Sequence, residues 1–425
     1  MPSVDALLPL TALSLVGLLV VSVVGQRSQT LAPVLVGYCG HLMLGLGNYW
    51  INGLVADQNT FNGQAMSVAA SLSGDSGTTV SLNLGKEGFP FIVGLLYTFA
   101  GPYPELGLAL NAILMGLVPA IVATACRGLG YSEAAVIAAW FVVVLPPLAY
   151  WTSLFAREAM ASFFLSLMLL ALSLLYEGRI VRALVVAWSS TAAMMFVRPQ
   201  VGALALAGIV IAALIMGRGQ DGTVTRALVL AAPSVALLPL GFLRGPDLDP
   251  TSAGSLREGL GEGANTATGV TGDGFDTTFG ALVGSLLDLP RATLGPLPWE
   301  WSVTYWQLII DVVSWAVVLI FAFIALRRAK GRRVLISLLV PAALVLLATS
   351  AIMGNWGIVV RMRLQALPFL IVIAAVGFQI WRAHAHEKVE RRVRSRRYAA
   401  ELERIRKRKS SPLSVSSINS PVQGQ

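Results

Sequence analysis

Residues 31–50 read LAPVLVGYCGHLMLGLGNYW, and residues 52–65 follow as NGLVADQNTFNGQA. The first stretch carries no charge and, as a helix rising about 1.5 Å per residue, matches the roughly 30 Å hydrocarbon core of a bilayer. The second sets an aspartate among amides at the mouth of that helix. Runs like the first recur at 6–25, 105–126, 132–150, 159–176, 180–197, 200–217, 226–243, 304–326, 334–353 and 364–381. Together they define an all-α fold, a polytopic transmembrane bundle of about eleven spans. Composition agrees: 56% of the 425 residues are hydrophobic and 12% charged, against roughly a quarter charged in an ordinary soluble domain. The run FPFIVGLLYTFAG (89–101) is short and ends in GPYP. It reads as a juxtamembrane or re-entrant helix.

Lys and Arg are retained on the cytosolic side of membrane proteins. With the N-terminus outside, 23 of the 31 Lys/Arg fall in inner loops or the tail, including the cluster RRAKGRR (327–333). The eight left outside are Lys86, Arg157, Arg198, Arg244, Arg257, Arg291, Arg361 and Arg363. The expected topology is therefore N-out and C-in, in the plasma (inner) membrane. The first span has no basic leader and no small-residue cleavage site, so it reads as a retained helix.

The transmembrane domain is expected over 1–381, with outer loops at 51–104 and 244–303. In the second loop a Gly/Thr/Ser/Asp-rich stretch precedes Phe275, Phe279, Leu282, Val283, Leu286 and Leu287. This spacing predicts an amphipathic helix lying in the outer interface. Residues 382–410 hold twelve Lys/Arg against four acids, and so most of the net charge of +9. They form a basic cytosolic helix whose charges suit membrane lipids of the anionic leaflet. Nucleic acid is not an expected partner. Residues 411–425 read as a disordered tail.

Several chemistries find no motif. There is no P-loop, no G-x-S-x-G, no H-E-x-x-H and no C-x-x-C, so ATP hydrolysis, esterase chemistry and structural zinc are unsupported. The D-x-D of PDLDP (246–250) is too short to weigh, and it faces away from cytosolic nucleotide sugars. His41 has no second membrane histidine to share a metal, and two cysteines make no disulfide framework. The sequence assigns no cofactor and no metal ligand, and it leaves a divalent ion open.

What stands out is polar chemistry at the outer surface. Asp57 is placed to take a proton from an acceptor hydroxyl, with Lys86 and Glu87 in the same loop; the plain alternative is a solvated aspartate that helps end a helix. Arg157 and Glu158 open one span, Arg198 closes another, and Arg361 and Arg363 precede the last. Arginines in short outer loops oppose the sidedness rule, and their forked donors suit phosphate. Singly, each has the alternative of snorkelling to headgroups or pairing with an acid. Asp311, about two turns into its span, calls for either an outer arginine or a substrate as its partner.

The order of these pieces resembles the GT-C superfamily of polytopic, lipid-phosphate-sugar-dependent glycosyltransferases, with a PMT/ArnT-like architecture. In that group an acidic residue in the first outer loop follows an early span, juxtamembrane helices lie in the loop, and an R-x-R type segment precedes a later span. VADQNTFNGQA, GKEGFPFIVGLLYTFAGPYPELGLALNAILMGL, TSLFAREAMASFFLSLMLL and GIVVRMRLQALPFLIVIAA resemble those pieces in turn. The lone Asp57, where some members pair Asp with Glu, and the extra first span depart from it. The resemblance implies the fold, a lipid-linked sugar donor, a catalytic base at Asp57, and phosphate contacts at Lys86, Arg361 and Arg363. The leading expectation is a glycosyltransferase that modifies a cell-envelope glycan or lipid acceptor. A polymerase or ligase of lipid-linked oligosaccharides and a non-catalytic transporter or flippase are the alternatives.

Overall fold

A computed structural model of the chain describes residues 4–74, 88–217, 277–297, 299, 306–351 and 353–410. Every regular element among them is helical: α1 (Val4–Arg27), α2 (Leu31–Asn52), α3 (Ala56–Leu72), α4 (Gly88–Ala100), α5 (Pro104–Gly128), α6 (Ala135–Val144), α7 (Pro146–Ser153), α8 (Glu158–Tyr176), α9 (Ile180–Val197), α10 (Pro199–Met216), α11 (Thr278–Leu294), α12 (Trp306–Arg328), α13 (Arg332–Ala351), α14 (Trp356–Arg363) and α15 (Leu367–Ser410). Among the described residues nine helices are long and apolar enough to cross a membrane, and ten when the bent pair α6–α7 counts as one span. The protein is an integral, all-helical membrane protein. The expected span 226–243, the residues Lys86 and Glu87, the glycine-rich stretch before Phe275 and the tail 411–425 lie outside the described residues.

The described chain divides into two units, Met1–Gln379 and Ile380–Gln425. In the first, α5 is central and packs on α1, α2, α6 and α8. Water does not drive helices together inside a bilayer, where close van der Waals fit decides. α5 meets that need with small residues: Gly107, Ala109, Ala112, Gly116, Ala120, Ala123 and Ala125 are all buried. On α8, buried Ser166 gives its hydroxyl back to Ser162 O at 2.7 Å, so its polarity costs nothing in an apolar setting. α1 instead leaves Leu8, Leu15, Val16 and Leu19 exposed, a face suited to lipid. Beyond α8 the packing runs through α9 and α10 to α13, which carries α11.

The expected short apolar helix is α4, and it lies against α3. The contact is close because position 94 has no side chain: a Cβ there would stand 2.6 Å from Val68. Two contacts gather the opposite end of the bundle. Tyr131 donates to Gly331 O at 3.2 Å, and Gln379 bonds Glu133. Nearby, Phe378 meets Phe141 and Phe321 edge to face at 5.8 and 5.2 Å, and Phe141 and Phe321 are tilted at 41° with centroids 6.3 Å apart. Cys39 and Cys126 are both free thiols.

α11 forms where an amphipathic helix was expected, capped by Thr277, whose side chain accepts from Gly280 N. Its Phe279, Leu282, Leu286 and Leu287 are exposed. The other side packs on α13, where Ser350 donates to Ser285 O at 2.8 Å. In the second unit residues 381–406 of the helix are exposed, and Arg391–Glu387 and Arg394–Glu390 pair one turn apart.

Candidate functional site

The end of the bundle that holds Asp57 is shaped by four helix ends. Gly53, at φ +71°, stops α2 in a conformation an L side chain rarely adopts, and α3 starts three residues later. The polar stretch is thus the start of a helix between spans, not a bare loop. Asp57 lies in the first turn of α3, where the free amide ends of a helix favour a negative charge. Its carboxylate is exposed, while the neighbouring Gln58 is buried.

The second helix end comes from a broken span. Pro146 and Pro147 interrupt the run 132–150: a proline lacks the helical N–H and pushes the preceding residue out of helical geometry. Leu145 is accordingly extended, and α6 and α7 meet at 57°. His41 Nε2 sits 2.9 Å from Thr152 Oγ1 and ties the displaced half to α2. Asn111 then fixes the connector beyond it by donating to Leu154 O at 2.7 Å and Ala156 O at 3.0 Å. The connector ends in Arg157 and Glu158.

Arg198 stands between α9 and α10 and is buried. It forms an ion pair with Glu158 at 2.7 Å and reaches Met362 Sδ, while Arg157 donates to Val197 O at 3.4 Å. Burial, then the like charge of Arg157, pushes the Arg198 guanidinium down to about 9; Glu158 works against this and Arg361 adds to it. It stays a cation at neutral pH. Arg198 therefore feels the charge of both Arg157 and Arg361.

The last contributor is α14, capped by Asn355, whose Oδ1 accepts from Gly357 N at 2.7 Å. Three consecutive residues at its end face three different partners. Arg361 Nη1 meets Asp57 Oδ2 at 2.9 Å across 304 residues of sequence, and its guanidinium lies 4.7 Å above the Trp151 ring. Met362 meets Arg198. Arg363 turns inward: it is fully buried, ion-paired with Asp311, bonded to Gly295 O and set over Trp315.

The structure thus brings together Asp57, Arg157, Glu158, Arg198 and Arg361, and it gives Arg363 and Asp311 to each other at a separate buried point. Trp151, Met362 and Gln365 were not singled out in the sequence. Trp151 has no local signal beyond following the proline break. Buried Glu158 Oε2, Arg198 Nε, Arg361 Nε and Gln365 Oε1 have no hydrogen-bond partner among the described residues, and neither has Arg363 Nε, so polar capacity is left over at both points. Among the described residues no group of three or more His, Cys, Asp and Glu is placed to hold a metal ion. The constellation suits an anion presented beside an exposed carboxylate. No protein-family model and no curated protein matches the chain.

Proposed function

We propose that the protein is an inverting membrane glycosyltransferase of the GT-C type. It takes a sugar from a polyprenyl-phosphate donor on the outer face and passes it to a cell-envelope glycan or lipid. The proposal includes eleven spans, an outside N-terminus and a cytosolic C-terminus, which put the Asp57 end outside. The observation that carries it is the contact of Asp57 with Arg361. A base for the acceptor and a clamp for a phosphate act on one glycosyl bond, so they must stand about one sugar apart, and these residues are far apart in sequence but adjacent in space.

In the proposed step the acceptor oxygen attacks the anomeric carbon while its proton passes to the Asp57 carboxylate. The bond from that carbon to the phosphate oxygen breaks with its electron pair, and polyprenyl phosphate leaves as an anion. Arg361, with Arg157 and Arg198, offsets the charge that develops on the leaving group, so no strong acid is required. Glu158 holds Arg198 in place. Lys86 joins the phosphate contacts by resemblance alone, with Glu87 beside it. Arg363 and Asp311 are assigned to anchoring α14 instead of touching substrate, because each already has the other.

The test is incubation of purified protein with lipid-phosphate sugars and detection of released polyprenyl phosphate. Asp57→Asn should lower turnover on the order of a hundred- to ten-thousand-fold, the usual worth of a general base. A folded variant with near-normal turnover would sink the assignment. One observation favours a second reading, a flippase without chemistry: the span broken by 57° at Pro146, since broken helices recur in transporters. Movement of a fluorescent lipid-linked sugar across proteoliposomes, with no polyprenyl phosphate released, would select it.

A further inference from the structure

The two arginines of the R-x-R segment are held in opposite ways. Arg363 is fully enclosed by Asp311, Gly295 O and Trp315. Arg361 rests on an aromatic face and on one carboxylate that is itself 64% exposed. Its Nε is buried with no hydrogen-bond partner among the described residues. A cation–π seat under a guanidinium fixes its plane yet leaves the edge N–H groups available. Both arginines keep an Nε without a partner among the described residues, so the difference lies in exposure: Arg361, whose one ionic partner is open to solvent, is placed to change partners, whereas Arg363 and its partner are sealed in.

We infer, on the reading of the site proposed above, that Asp57 occupies the anion position of Arg361 until a phosphate arrives and displaces it. A phosphate monoester or diester presents the same geometry to a guanidinium as a carboxylate does, and with at least equal charge. When its oxygens take the Arg361 edge, the Asp57 carboxylate loses its ionic partner and is free to accept the acceptor's proton. Trp151 keeps the guanidinium plane in register through the exchange. Donor binding thereby precedes acceptor activation.

The inference has an unusual consequence: removing the base should tighten binding of the leaving group. An exposed ion pair holds its partners weakly, so abolishing the Asp57 carboxylate should improve affinity about two- to fivefold, with relief of carboxylate–phosphate repulsion adding to it. The measurement is equilibrium binding of a polyprenyl phosphate to detergent-solubilised full-length protein, with inorganic phosphate as a parallel probe. Asp57→Asn should bind more tightly than the wild type, and Arg361→Gln more weakly. The double variant should gain less over Arg361→Gln than Asp57→Asn gains over the wild type, because only the relief of repulsion is left to gain. Tightening for both probes identifies the phosphate group itself as the competitor; tightening for the lipid probe alone identifies a lipid-borne phosphate. Unchanged or weaker binding in Asp57→Asn, or unchanged binding in Arg361→Gln, overturns the exchange. Asp57→Ser repeats the first arm should the Asn variant fold poorly. Turnover is read separately: an Asp57→Asn variant that binds more tightly but retains turnover keeps the competition and refutes the catalytic base.

Discussion

At Glu158 and Arg198 the chain buries one charge of each sign at the seam of α8, α9 and α10. Such a pair repays its desolvation only in good geometry, and removing one partner strands the other. Both side chains are more than nine-tenths buried. Glu158→Ala should therefore destabilise the bundle by about 3–5 kcal/mol, read as a lower unfolding midpoint in detergent. Replacing both residues by apolar ones of similar volume should recover most of that loss. By contrast, Arg179–Glu177 is substantially exposed, and Glu177→Ala should shift the midpoint by less than about 1 kcal/mol. A fall of equal size at both positions would mean that Arg198 is not paying for burial. Legibility at this scale was uneven. That Arg157, Arg198 and Arg361 stand at the ends of apolar runs could be read directly, because the limits of a run are a local property. Their partners could not: nothing in residues 355–363 points to position 57, and the choice between Arg361 and Arg363 as the exposed guanidinium depends on how α14 is rotated.

Among the elements, the long spans were readable because about 20 apolar residues have few ways to satisfy their backbone in lipid except as a helix. α3 was not, since its sequence ADQNTFNGQAMSVAASL is polar at one end and short of a span. It is stabilised instead by what it lies on. Tyr97 of α4 donates to Asn62 at 2.7 Å, and Phe61 meets Phe89 edge to face at 6.0 Å. The missing side chain at Gly94 sets how near the two helices come. Gly94→Val adds bulk against Val68 and the Ala65 carbonyl and should cost about 1–3 kcal/mol by overpacking. It should also move Asp57 away from Arg361, because the same short helix carries both Val68 and Asp57. Turnover should then fall more steeply than melting temperature, and Gly94→Ser should show a smaller effect in the same direction. A valine variant that melts early yet keeps wild-type turnover would show that α3 docking does not position Asp57. The proline break is the converse case: "LPP" advertises it in sequence, but its direction, which sets Trp151 under Arg361, is decided by the His41–Thr152 tie.

On the scale of the whole molecule, charge is divided as sharply as hydropathy. Among the described residues the transmembrane unit holds few exposed charges away from its ends, while residues 382–410 carry twelve Lys/Arg against four acids, on a helix exposed over 382–406. Self-repulsion in such a helix is relieved by the i,i+4 pairs at Glu387–Arg391 and Glu390–Arg394, and a large positive excess is left over. Under the proposed sidedness that excess faces the cytosolic leaflet, where each Lys or Arg near anionic lipid is worth about 1 kcal/mol. Apolar Val389, Val393, Leu402 and Ile405 are exposed among the charges and have somewhere to go only if a lipid surface is near. Proteoliposomes that present the tail on their outer surface give the test. Trypsin should cleave within 382–410 slowly when the vesicles contain phosphatidylglycerol and rapidly in pure phosphatidylcholine. Salt at about 0.5 M, which shrinks the screening length to a few ångströms, should restore rapid cleavage. Replacing Arg391, Arg392, Arg394, Arg396 and Arg397 by Gln removes five cations and five trypsin sites, so for this variant the cleavage at Lys388 and Arg404 is followed, and its protection by phosphatidylglycerol should largely disappear. Equal cleavage rates in the two lipids for the wild-type chain would refute membrane docking and leave an acidic macromolecule as the partner that these charges await.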